Sequence, residues 1–73
     1  MTYETGALVG KYRHYKGNEY EVLGIGVHTE TEEKMIVYRA LHEPYKIWLR
    51  PYDMFFETVT ISGEKLPRFK KID

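Results

Sequence analysis

The 73-residue chain contains no cysteine. That excludes disulfides, thiolate metal sites and a cysteine nucleophile, and it fits a reducing compartment. Excess charge is missing too: eleven Lys and Arg balance eleven Asp and Glu, so no global field favours nucleic acid or an anionic membrane. No apolar run approaches the ~20 residues of a membrane helix. The first residues lack the basic-then-apolar order of a signal peptide. Helical periodicity, repeats and low-complexity tracts are also missing. The expectation is a cytoplasmic, soluble single domain over residues 1–73, with its core at about 10–72 and no cofactor.

Aromatic residues are what the chain has in quantity: seven Tyr, three Phe and one Trp. A domain of this size buries only roughly 60% of its unfolded surface. Each ring can bury ~150–250 Å², so a handful of rings replaces the disulfides or metal that small scaffolds often need. Charge is distributed unevenly. Residues 1–16 carry net +2, residues 17–33 net −5, residues 34–50 net +3, and residues 51–73 balance. That pattern allows one acidic edge opposite a basic side.

Apolar alternation predicts strands over Lys11–Tyr15, Glu19–Thr29, Lys34–Leu41 and Lys46–Arg50, then a hairpin of Phe56–Ile61 and Leu66–Ile72. Gly17-Asn18 reads as a two-residue type II′ connection. Within Glu19–Thr29, Tyr20 and Val22 are apolar at even positions but Leu23, Ile25 and Val27 at odd ones. A phase slip beside Gly24 marks a bulge or bend. Thr29–Glu33 is an acidic loop, His42–Tyr45 a turn around Pro44, and Tyr52–Phe55 one tight turn. Gly63 can take positive φ in the last hairpin, and Pro67 marks its second arm as an edge or as non-strand. Five to six short antiparallel strands with regular turns give an all-β fold, a small SH3-like barrel being the specific expectation.

G-K-Y-R-H-Y-K-G-N-E-Y-E-V-L-G at Gly10–Gly24, V-Y-R-A-L at Val37–Leu41, W-L-R-P at Trp48–Pro51, D-M-F-F-E at Asp53–Glu57 and P-R-F at Pro67–Phe69 carry a resemblance. Together they resemble a bacterial family of short proteins filed as domain of unknown function 1653. The resemblance covers nearly the whole chain and implies a compact accessory or binding domain, found alone or attached to others. It brings no catalytic residues.

Tyr12, Arg13, His14, Tyr15 and Lys16 interleave rings with cations, as surfaces for single-stranded nucleic acid do. The plainer reading makes Tyr12 and His14 one face of an outer strand with Arg13 and Lys16 solvated. Trp48 and Arg50 share a strand face ended by Pro51; a flat ring beside a planar cation can grip a carboxylate or phosphate. The alternative is that Trp48 fills the core mouth while Arg50 stacks on Tyr38 or pairs with a Glu. Arg68 is a further rim cation or a solvated edge residue. His14, His28 and His42 come from separate elements without metal-ligand spacing, so no metal is expected. Of Met54, Phe55 and Phe56, Met54 or Phe55 would close the core with Phe56. No nucleophile elbow, phosphate-cradling loop or paired inward carboxylates appear.

These residues point to a non-enzymatic module with a rim of Tyr12, Arg13, His14, Tyr38, Trp48, Arg50 and Arg68 that recognises a peptide or protein partner. The first alternative is single-stranded nucleic acid or a nucleotide. The second is a small-molecule or metal-assisted enzyme using His14 or His28. No membrane partner is expected, and a tyrosine-rich surface could also serve a dimer.

Overall fold

The computed structural model describes residues 5–73. The first four residues of the expected 1–73 domain, and of the stretch screened for a targeting signal, lie outside the described ones. The chain runs α1 (Thr5–Leu8), β1 (Gly10–His14), β2 (Glu19–Val27), β3 (Lys34–Ala40), β4 (Ile47–Pro51), α2 (Tyr52–Phe55), β5 (Thr58–Ile61), β6 (Glu64–Pro67) and β7 (Phe69–Lys71). Five strands form one antiparallel sheet in the order β4-β3-β2-β1-β7, and β5 pairs with β6 separately. The fold is all-β. No closed barrel is found among the described residues, because β4 and β7 remain the two edges of the five-stranded sheet.

The opening hairpin forms, but its turn differs from the type II′ expectation. The His14 N–H donates to the Asn18 carbonyl at 2.8 Å and the Gly17 N–H to the His14 carbonyl at 2.7 Å. Asn18 therefore belongs to the ladder, and the loop is Tyr15-Lys16-Gly17. Gly17 holds φ +111° at its end, as in a three-residue loop closed by a glycine bulge. In the last hairpin Ile61 faces Glu64, leaving Ser62 and Gly63 as a two-residue loop at φ +52° and +83°, the type I′ pattern.

The phase slip in β2 is a bulge. Val22 pairs with Tyr38 and Gly24 with Val37, so Leu23 is the extra residue. The expected C-terminal strand Leu66–Ile72 divides into β6 and β7 at Arg68. The Arg68 N–H donates to the Glu57 carbonyl at 3.0 Å, while its carbonyl accepts from the Tyr15 N–H at 3.0 Å. One residue thus ties the β5–β6 hairpin to the main sheet. The single turns α1 and α2 are too short to leave a periodic signature.

Residues directly opposite each other in an antiparallel ladder share a face. Tyr12 faces Tyr20, and Tyr20 faces Ala40; Val22 faces Tyr38, and Tyr38 faces Trp48; His14 faces Phe69 and Ile36 faces Arg50. All these side chains therefore stand on one side of the sheet. Across them α2 lays Phe55, stacked on Phe69 at 4.1 Å and edge-on to Tyr12 and Tyr38 at 5.4 and 5.3 Å. Phe55, Val22 and Ile36 are completely buried. Phe56 packs against the core, partly buried, and Met54 is exposed, so Phe55 and Phe56 are the pair that closes it.

Candidate ligand-binding concavity

Phe55 covers only part of that face. Beyond its reach lies a concavity of about 230 Å³ with Tyr20, Tyr38 and Phe69 among its walls, alongside Trp48 and Arg50 from β4 and the imidazoles of His14 and His42. The rings meet edge to face: Tyr20 lies 5.5 Å from both Tyr38 and Phe69, 5.7 Å from His42 and 6.4 Å from His14. Such pairs follow the ring quadrupole and hold one another in place. Tyr38 is buried, whereas Trp48 is 47% exposed.

Arg50 is the cation of the site. Its Nε donates a long 3.4 Å bond to the Tyr38 hydroxyl, and its guanidinium carbon sits 5.8 Å from the centre of the Phe69 ring. Among the described residues no carboxylate lines the concavity or forms an ion pair with Arg50. Three cations elsewhere on the surface are matched: Arg13 with Glu19 at 2.9 Å, Arg68 with Glu57 at 2.7 Å and Lys71 with Asp73 at 3.2 Å. The Lys46 ammonium lies 5.6 Å over the Trp48 ring, adding positive charge at the same end.

His14 is held neutral. Burial is the largest cause of its lowered pKa, and the neighbouring charges of Arg68, Arg50 and Lys16 push the same way. Its Nδ1 accepts the Lys16 N–H at 3.1 Å, which assigns the ring proton to Nε2. The smaller, coulombic part of that lowering comes from Arg68, Arg50 and Lys16, which place positive charge around the imidazole. Anions are what that charge attracts.

Of the seven residues expected to form the rim, His14, Tyr38, Trp48 and Arg50 meet in this concavity. Tyr12 does not, because it is 3% exposed, packs on Phe55 and donates its hydroxyl to the Leu8 carbonyl at 2.9 Å. Arg13 points to the opposite side of β1 and lines a second hollow with Tyr15, Leu66 and Pro67. Arg68 is bound twice to Glu57 Oε1, at 3.1 and 2.7 Å. His28 lies apart, its Nδ1 accepting the N–H groups of Glu30 and Thr31 in the acidic loop. No group of three His, Asp or Glu side chains suited to a metal occurs among the described residues.

Three lining residues escaped the sequence reading as site members: Tyr20, His42 and Phe69. Tyr20 could have been found, since it shares the even phase of Val22 and lies opposite Tyr12 once the hairpin register is set. Phe69 needed the strand break at Arg68, which nothing local announces. His42 needed the turn geometry, in which the Tyr45 N–H donates to the His42 carbonyl at 2.8 Å. No helix among the described residues is long and apolar enough to cross a membrane.

Comparison with known proteins agrees with the resemblance carried by the five sequence blocks. The family model described as "Protein of unknown function (DUF1653)" matches residues 10–71. Among curated proteins none matches. Among solved structures, the crystal structure of a DUF1653 protein from Bordetella bronchiseptica is similar, with a TM-score of 0.81 and 35% sequence identity over 88% of this chain and 85% of that one. The chain belongs to the DUF1653 family.

Proposed function

We propose that this protein is a cytoplasmic, non-enzymatic binding module that recognises a carboxylate-bearing segment of a partner protein in the Trp48–Arg50 concavity. The observation that carries the reading is Arg50, without a carboxylate partner beside the buried Tyr38 and Phe69 and the exposed Trp48, on a surface where Arg13, Arg68 and Lys71 all have carboxylate partners. A guanidinium backed by an aromatic wall offers a planar fork to a carboxylate. Trp48 and Tyr20 supply flat apolar area at small entropic cost. The size of the cavity suits one side chain rather than a whole ligand of drug size, which fits a chain passing over the site with one residue inserted.

A peptide is favoured over nucleic acid by the same charge pattern. Tracking a phosphate backbone needs several free cations in a row, and here Arg13, Arg68 and Lys71 are each engaged by carboxylates.

Trp48 is the sole tryptophan of the chain, so its fluorescence reports on this site directly. Titration with extended peptides bearing Asp or Glu should shift or quench it, and neutral or Lys-bearing peptides should not. Arg50→Ala should weaken binding by about tenfold or more, the scale of one charge-assisted hydrogen bond. Arg13→Ala, on the other side of β1, should leave it unchanged. Binding confined to oligothymidylate, with affinity falling steeply in salt, would overturn the proposal.

A further inference from the structure

The strand that carries Trp48 and Arg50 is also an open edge of the sheet. Its Ile47, Trp48 and Leu49 are three consecutive apolar residues exposed at 57%, 47% and 59%. Exposed apolar edges are templates for a further strand, and proteins usually blunt them with charge, proline or a covering loop. Here Ile47, Trp48 and Leu49 carry no charge or proline; the strand's one charge, Arg50, lies on the concave face, and Pro51 is its last residue.

The hydrogen-bond phase of β4 is fixed. The Ala40 N–H donates to the Lys46 carbonyl at 2.9 Å, and Trp48 faces Tyr38 and Arg50 faces Ile36 in the same register. Antiparallel pairs alternate between bonded and non-bonded, so Lys46, Trp48 and Arg50 spend their backbone groups on β3. The N–H and C=O of Ile47 and Leu49 turn to the open edge. Pro51 falls in that outward phase, where its missing N–H costs the sheet nothing.

We infer that β4 accepts an extended acidic segment of a partner protein as an added antiparallel strand, and this rests on the concavity being the recognition site. In that register two residues of the segment exchange backbone hydrogen bonds with Leu49 and Ile47. The residue between them stands opposite Trp48 on the concave face. The two flanking residues stand opposite Arg50 and Lys46 on that same face, so carboxylates there complete both cations. The recognised pattern is acidic, apolar, aromatic or apolar, apolar, acidic.

A second copy of this chain fits less well in each symmetric register. Centred on Trp48, it sets Arg50 opposite the other copy's Lys46 twice over, a like-charge pairing that is destabilising. Centred on Leu49, it sets Pro51, without an N–H, against Ile47. Centred on Ile47, it requires Tyr45 to be extended, but Tyr45 holds φ +59°.

The test uses the peptide Ac-Glu-Val-Phe-Val-Glu-NH2 against the whole protein, read by Trp48 fluorescence. N-methylation of both valines removes the donors aimed at Leu49 and Ile47 and should weaken binding by about tenfold or more. N-methylation of the phenylalanine, whose N–H faces away, should leave the affinity nearly unchanged. Leu49→Pro deletes only an outward N–H and should keep the fold while abolishing binding. If both N-methylated peptides bind as well as the parent, with Arg50→Ala still weakening them, strand addition is wrong and the concavity reading stands. If no acidic peptide shifts Trp48, both fall. Sedimentation showing a dimer abolished by Leu49→Pro would also overturn the assignment, giving the edge to a second copy.

Discussion

His14 shows how much one side chain reports. Burial and the nearby Arg68, Arg50 and Lys16 charges lower its pKa in the fold, whereas the unfolded chain titrates near the ordinary ~6.5. Below that value the unfolded state takes up a proton that the folded state refuses, so acid favours unfolding. Stability should fall as pH drops from about 6.5 to the folded pKa, then level off as far as this group is concerned. Asp73, also lowered, by the Lys11 backbone N–H and then by Lys71, loses its contribution only below the carboxylate range, which keeps the two effects apart. Urea unfolding of the wild type and of His14→Gln between pH 7 and pH 5 checks this. The variant should show a shallower decline; an equal slope would mean His14 is not the group responsible.

At the scale of the element, α2 decides what is core and what is site. Its four residues place Phe55 in full burial against Phe69, Tyr12 and Tyr38, and the concavity is the part of the face that this ring leaves uncovered. Phe55→Ala should cost ~3–5 kcal/mol, a large share of the stability of so small a domain. Exposed Met54→Ala should stay within ~0.5 kcal/mol. Thermal or urea denaturation of the two variants gives the comparison directly. Much of the element layout was legible in the sequence. The alternation of Lys34–Leu41 and the slip beside Gly24 located β3 and the Leu23 bulge, because side-chain period and strand phase are the same quantity. The turn at Gly17 was misjudged by one residue, since the choice rests on whether the His14–Asn18 bond forms, a matter of twist rather than composition. The break at Arg68 was illegible for a different reason. It depends on Glu57 and Tyr15, far away in the chain, meeting one backbone unit from two sides.

For the whole molecule, balanced charge conceals a local imbalance. Arg13, Arg68 and Lys71 are paired with carboxylates in place, whereas the concave end of β4 keeps Arg50 and Lys46 for rings rather than carboxylates. The sequence offered seven rim residues, of which His14, Tyr38, Trp48 and Arg50 line one concavity, on the common face that strand register sets. It could not show that Tyr12 lies beneath Phe55, or that Arg13 and Arg68 have been claimed by Glu19 and Glu57. The most direct test is a nitrogen-15 NMR titration of the whole protein with Ac-Glu-Val-Phe-Val-Glu-NH2, following side-chain N–H resonances. The account predicts that the Arg50 Nε–H and the Trp48 indole N–H move together and saturably while those of Arg13 and Arg68 stay in place. Movement of Arg13 and Arg68 with Arg50 and Trp48 unchanged would contradict it.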